Sequence, residues 1–304
     1  MINRRQWIRL AGAGGALPVL GRFAGAFASD EDKVRQAVDA AVKPVIANYE
    51  IPGSAVGVTI DGARTFVEYG IAAKQTGVAV TRDTLFELGS ISKTFTATLA
   101  TLAELEGKLS LSDTVGQHLP ELEGHPIGDV RLVDLGTHTG GGFPLQLPAG
   151  VNTDAQLMDW YRAWQPKYPA GAMRTYANPS IALLGIVTAR AMGADFQSLA
   201  EQRLFPALGL KRTFIAVPKA EMAAYAWGTN GQGKQVRVGA DPIMTEAYGV
   251  RSNAVDMLAF LEANMGLGTM ANPGADLIAQ AVTATHTGYY RAGPFIQDLI
   301  WEQY

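Results

Sequence analysis

Phe86-Glu87-Leu88-Gly89-Ser90-Ile91-Ser92-Lys93 is the stretch whose reading decides the fold. It sets a serine three residues before a lysine at the start of a helix-like run. Positions i and i+3 share a helix face, so Lys93 can reach back to Ser90. A serine hydroxyl is a poor nucleophile until a nearby base takes its proton. The run that follows, Thr94 to Ala103, carries no charge. A helix without a solvated face is normally buried, and burial disfavours an ammonium. Lys93 is therefore biased toward the neutral amine that a general base requires. Taken alone, Ser-x-x-K is a weak motif. A helix N-cap at Ser90 with a first-turn surface lysine is the alternative reading.

Working outward, the chain predicts a helix over Asp30–Tyr49, interrupted at Pro44, and then a hairpin. The hairpin strands are Ala55–Ile60 and Arg64–Tyr69, with Asp61-Gly62 as its turn. The helix from Ile91 is expected to end near Gly107. Further helices are expected over Asp154–Trp164, Ser180–Met192, Phe196–Phe205 and Asn253–Ala263. Glycine and proline mark loops at 139–144, 167–171 and 228–241. After residue 265 only Phe295–Trp301 reads as a strand. The expected plan is an α/β domain over 29–85 and 265–304, with a mainly helical domain over 86–264.

The 304 residues are 48% hydrophobic and 17% charged, which suits a folded globular protein. Residues 1–28 read as a signal peptide: a basic start, a Gly/Ala-rich apolar run, and the small-x-small site Ala26-Phe27-Ala28. The pair Arg4-Arg5 resembles a twin-arginine signal, with the general secretory route as the alternative. Removing the segment leaves 21 basic and 28 acidic residues, a net charge of −7. No basic patch suggests nucleic-acid binding, and no later run is long enough to span a membrane. There is no cysteine, and the four histidines have no metal-ligand spacing. The expectations are a periplasmic, monomeric protein without cofactor or metal, taking a small-molecule substrate.

Beyond the octapeptide, three further segments carry a resemblance, one of them Glu246-Ala247-Tyr248-Gly249-Val250. Tyr176-Ala177-Asn178 looks like a Tyr-x-Asn motif. Thr137-His138-Thr139-Gly140-Gly141-Gly142-Phe143-Pro144-Leu145-Gln146 is similar to a Thr-x-Thr-x-Gly-Gly-x-Pro-Leu-Gln segment. With Phe/Tyr-Glu-x-Gly-Ser-x-Ser-Lys, these identify the chain as resembling the class C, AmpC-type serine β-lactamases and their penicillin-binding relatives. Class A relatives use Ser-Asp-Asn as the second motif, which this chain lacks.

The resemblance implies a β-lactamase/transpeptidase-like α/β fold, an antiparallel sheet flanked by helices plus a mainly helical domain. It implies hydrolysis of penicillins and cephalosporins, hence antibiotic resistance, through an acyl-enzyme on Ser90. Lys93 and Tyr176 would carry protons. Gln146, Asn178 and Tyr248 would bind substrate, and Asn178 would also hold Lys93. The Ser90 backbone N–H would be one oxyanion donor. The family's Lys-Thr-Gly strand has no counterpart except the weak candidate His286-Thr287-Gly288. The chain is therefore expected to be truncated, lacking the last strands of the sheet and the second oxyanion donor, and to show little or no activity. A D,D-peptidase, an esterase of the same fold and a non-catalytic penicillin-binding fragment remain open.

Overall fold

The computed structural model describes residues 30–267 and 275–304, so the signal segment lies outside the described residues. Helix α1 runs over Asp30–Tyr49 and continues through Pro44. Strands β1 (Gly53–Ile60) and β2 (Ala63–Ala73) pair antiparallel, with Ile60 opposite Ala63. Asp61 and Gly62 both adopt left-handed φ, 51° and 83°, which gives the two-residue turn that matches strand twist. Strand β3 (Val78–Ala79) completes a sheet of order β1-β2-β3.

Helix α2 (Ser92–Leu105) is the spine of the molecule. Every residue from Ser92 to Ala103 is buried. Its opposite faces serve two cores. Ala97, Ala100 and Ala103 pack with Leu132, Leu135, Phe143, Tyr161 and Leu183. Phe95, Leu99 and Leu102 pack with Phe196, Phe205, Phe260, Ile278 and Val282. Four threonines share this dry environment because each hydroxyl finds a carbonyl. Thr94 and Thr98 donate to Ile91 and Thr94, Thr96 to Glu246, and Thr101 to Ala281. Thr94 and Thr98 back-bond within the helix while Thr96 and Thr101 reach neighbouring segments, so each buried hydroxyl is satisfied. The helix closes where expected, with Gly107 left-handed at φ 65°.

The elements around α2 follow the expected spacing with two departures. Asp154–Ala163, Asn178–Met192 and Ala254–Asn264 form as continuous helices. The expected single helix over Phe196–Phe205 instead splits into Phe196–Leu199, a wider-turned Ala200–Leu204 and Phe205–Ala207. Proline has no N–H to give the preceding turn, and its ring crowds the carbonyl four residues back, so Pro206 accounts for the widening. The second departure is Phe295–Trp301, which is not one strand. It pairs only as Phe295–Gln297, because Leu299 is fully buried among the α2 core residues and Ile300 turns left-handed at φ 73°.

Tyr290–Ala292, Phe295–Gln297 and Glu302–Gln303 form their own antiparallel meander and do not join β1–β3. Ala275–Ala284, which the sequence reading did not pick out, is a helix lying on α2. His286 is spent on structure: its Nε2 lies 3.0 Å from Asn264 Oδ1 and its ring meets Trp301 edge-on. Among the described residues no helix is long and apolar enough to cross a membrane.

Gly185 lets the Asn178–Met192 helix approach the segment that borders the site. A β-carbon there would stand 2.6 Å from Glu246 Cγ and 2.8 Å from its Cβ. Gly185→Leu is expected to destabilise by about 1–3 kcal/mol through overpacking. Thermal denaturation checks this, and an unchanged or higher midpoint would show that the contact is slack.

Candidate active site

Ser90 sits on a single tight turn, Gly89–Ile91, that feeds directly into α2. The turn is held from behind. Phe86–Glu87 pairs with Arg251–Ser252, and the Glu87 carboxylate accepts from the Tyr225 hydroxyl and the Val238 N–H. Arg251, buried, donates to the Ile215 and Gly249 carbonyls and to the Tyr225 oxygen. Gly89 takes φ 54° at the point where the chain reverses into the helix. Ser90 is left exposed, while Ser92 and Lys93 turn inward.

Lys93 is completely buried, and its Nζ lies 2.9 Å from Ser90 Oγ. It also donates to the Ala247 carbonyl at 2.9 Å. Burial pulls its pKa from 10.5 down to about 8, so a usable fraction is a neutral amine near neutrality. The N-cap alternative does not hold: no side chain caps this turn or α2, and Lys93 is not on the surface.

A cleft of about 620 Å³ opens over Ser90. Gln146, Asn178 and Tyr248 line it, with Asn152, Val238, Gly239 and Asp241. Asn178 begins its helix, with its N–H bonded to the Leu145 carbonyl at 3.0 Å. Its side-chain Oδ1 is buried without a partner. The expected hold of Asn178 on Lys93 is not made; the Lys93 amine donates instead to the carbonyl of Ala247, the last residue of the short helix Met244–Ala247. The Tyr248 hydroxyl donates to the Asp241 carboxylate. Burial, then that carboxylate, pushes its pKa well above the ordinary value and keeps it a neutral phenol. Tyr176 is half-buried beside the lysine: its ring centroid lies 5.1 Å from Lys93 Nζ and 4.4 Å from the His138 ring.

Sequence reasoning missed three participants. Asp241 is found only through Tyr248, seven residues on. The Ala247 carbonyl carries no side-chain signature at all. Glu246 is a carboxyl whose Oε2 is buried without a partner, and burial raises its pKa to about 7.

The geometry has counterparts among known proteins. The profile of the Beta-lactamase family matches residues 37–301. A beta-lactamase of Lysobacter lactamgenus is 44% identical over 273 residues, covering 88% of this chain and 70% of its own length. The crystal structure of a beta-lactamase/D-alanine carboxypeptidase from Pseudomonas syringae superposes with a TM-score of 0.85 at 46% identity, covering 90% of this chain and 75% of that one. A class C beta-lactamase in complex with cefoxitin gives a TM-score of 0.86 at 40% identity, with coverages of 90% and 76%. The chain belongs to the Beta-lactamase family, in its class C group.

Proposed function

We propose that this protein opens the β-lactam amide of penicillins and cephalosporins through an ester on Ser90. The observation that carries the reading is a buried, partly neutral Lys93 amine 2.9 Å from an exposed serine hydroxyl at a polar cleft. Ser90 Oγ attacks the lactam carbonyl and its proton passes to Lys93 Nζ. The Ser90 backbone N–H donates to the developing oxyanion. The C–N bond breaks as the lactam nitrogen takes a proton through Tyr176, leaving the acyl ester. Water, giving its proton back through the same pair, then cleaves that ester. Gln146 and Asn178, both among the residues bordering the cleft, meet the acylamino side chain of the substrate in this reading. Tyr248 forms a further part of the wall. Export to the periplasm through residues 1–28 by the twin-arginine route, action as a monomer and a role in antibiotic resistance belong to the same proposal.

A second reading, D-alanyl carboxypeptidase action, draws on the double name of the Pseudomonas syringae relative. Both substrates present a carbonyl to the same serine, so the two chemistries share Ser90, Lys93 and Tyr176. A chromogenic cephalosporin, a D-Ala-D-Ala peptide and a p-nitrophenyl ester, assayed side by side, separate them. A Ser90-linked mass increment after penicillin exposure is the expected result, with slow cephalosporin turnover in preference to the peptide and the ester. Peptide or ester cleavage alone would overturn the lactam reading, and Ser90→Ala is expected to abolish the adduct.

Lys93 must shed its proton before it can accept one from Ser90. With its pKa lowered to about 8, the amine fraction grows as pH rises and saturates above that value. The free-enzyme kcat/KM is therefore expected to climb from about pH 6 and level off above about pH 8. Lys93→Arg, which keeps the charge and cannot lose it, is expected to cost about 10²–10⁴ in rate and remove this limb. A profile that is flat or falling through pH 8 would rule out Lys93 as the base.

A further inference from the structure

His138 is buried, is used in no step above, and has backbone φ 61°. A positive φ is uncommon outside glycine, histidine being one of the residues that tolerate it, and it costs free energy that the surroundings must offset. Here its two neighbours do so. The Thr137 and Thr139 hydroxyls bond to each other at 2.8 Å, and Thr139 is tied to Asp134 through both its N–H and its hydroxyl. Asp134 is in turn held by Arg131.

The unusual backbone aims three parts of His138 at one tripeptide. Its carbonyl accepts from the Thr175 N–H at 2.8 Å. Its imidazole Nδ1 accepts from the Ala177 N–H at 3.3 Å. Its ring lies against the ring of Tyr176, 4.4 Å between centroids and tilted by 42°. A backbone N–H can only donate, so Nδ1 must be bare and the ring proton must sit on Nε2. A protonated imidazole would place a donor against a donor. Burial, reinforced by the Arg174 and Lys93 cations, holds the His138 pKa down to about 3 and keeps the acceptor available.

We propose that His138 is a positioning residue that fixes the orientation of the Tyr176 ring beside Lys93 by clamping residues 175, 176 and 177 together. The inference rests on the reading of Tyr176 as the proton carrier. It explains why a histidine, and not a smaller residue, occupies a strained position behind that ring. An error of about 1 Å in such a group can cost about 10²-fold in rate, so a clamp of this kind has kinetic consequences.

The test compares His138→Ala with His138→Asn, alone and in a Tyr176→Phe background. Asparagine tolerates the left-handed backbone and offers Oδ1 near the place of Nδ1. The rate of Ser90 acylation by penicillin, read by intact mass, is expected to fall at least tenfold in His138→Ala, with KM for a chromogenic cephalosporin within about threefold. His138→Asn is expected to recover much of the rate. In the Tyr176→Phe background the His138→Ala change is expected to have less than a twofold effect, because the group it positions is gone. If His138→Ala does not fold, His138→Phe, which keeps the aromatic face and loses the acceptor, must show the same loss.

Fluorotyrosine-labelled protein gives a reading that needs no activity. The Tyr176 resonance, assigned by its loss in Tyr176→Phe, is expected to shift and broaden when His138 is replaced by alanine. An unshifted resonance, a His138→Ala variant within twofold of the parent, or an equal loss in the Tyr176→Phe background would each overturn the clamp. Absence of any Ser90 adduct in the parent would instead count against the functional reading, and the resonance would still decide the role of His138.

Discussion

The Lys93 amine beside Ser90 has a lowered pKa because α2 is buried from Ser92 to Ala103. In water a lysine would keep its proton and be useless as a base. Bringing its pKa from 10.5 to about 8 means that the folded protein disfavours the ammonium by about 3 kcal/mol. That penalty has to be met by the rest of the fold, and the structure shows where. Two hydrophobic cores share α2 as a common wall, so the helix that creates the penalty also organises most of the apolar packing. Its threonines remain satisfied by carbonyls, which keeps the surroundings of the amine free of charge. One carbonyl, from Ala247, keeps the amine aimed at the serine.

Everything else at the cleft is delivered to this helix from a distance. Gln146 comes from the loop before the Asp154–Ala163 helix, Asn178 from the start of the next, and Tyr248 from a short turn after residue 244. These segments meet because they pack on α2 or on one another. Gly185 allows the Glu246 side chain against the Asn178–Met192 helix, and Thr96 on α2 donates to the Glu246 carbonyl. The position of Ala247, and with it the second hold on Lys93, is therefore set by contacts with both helices. The site is a consequence of helix packing, with loops bringing the side chains to its rim.

Local rules made a good part of this readable from sequence. The Asp61-Gly62 turn, the charge-free run after Ser90 and the stop at Gly107 each have a short-range cause, and each lies where the residues put it. The Ser90–Lys93 contact is likewise local, three residues apart on one helical turn. What was not readable depends on partners far along the chain. Leu299 ends a strand-like run by burying itself in a core built mostly from residues 97–187. Lys93 meets the Ala247 carbonyl, 154 residues away, in preference to Asn178. His138 lay inside a quoted motif, yet nothing in its neighbours' identities reveals a left-handed backbone. Pro206 is the exception, since its effect on the preceding turn is local and could have been anticipated.

The departures from an ideally satisfied structure gather around Ser90. Lys93 is a buried amine, Asn178 Oδ1 is a buried acceptor left open, Glu246 is a buried carboxyl, and His138 is strained. Unpartnered atoms occur elsewhere too, at Thr59, Gln235 and Trp301, so no single one of them marks a site. Several different kinds of cost gathered around Lys93 and its neighbours is a stronger observation than any one cost. Folding alone would favour a paired amide, a solvated lysine and a relaxed backbone at these positions. Their joint persistence beside an exposed serine is what a nucleophile with a tuned base requires. On the reading proposed above, the penalties that make this region costly to fold are the ones that activate the Ser90 hydroxyl.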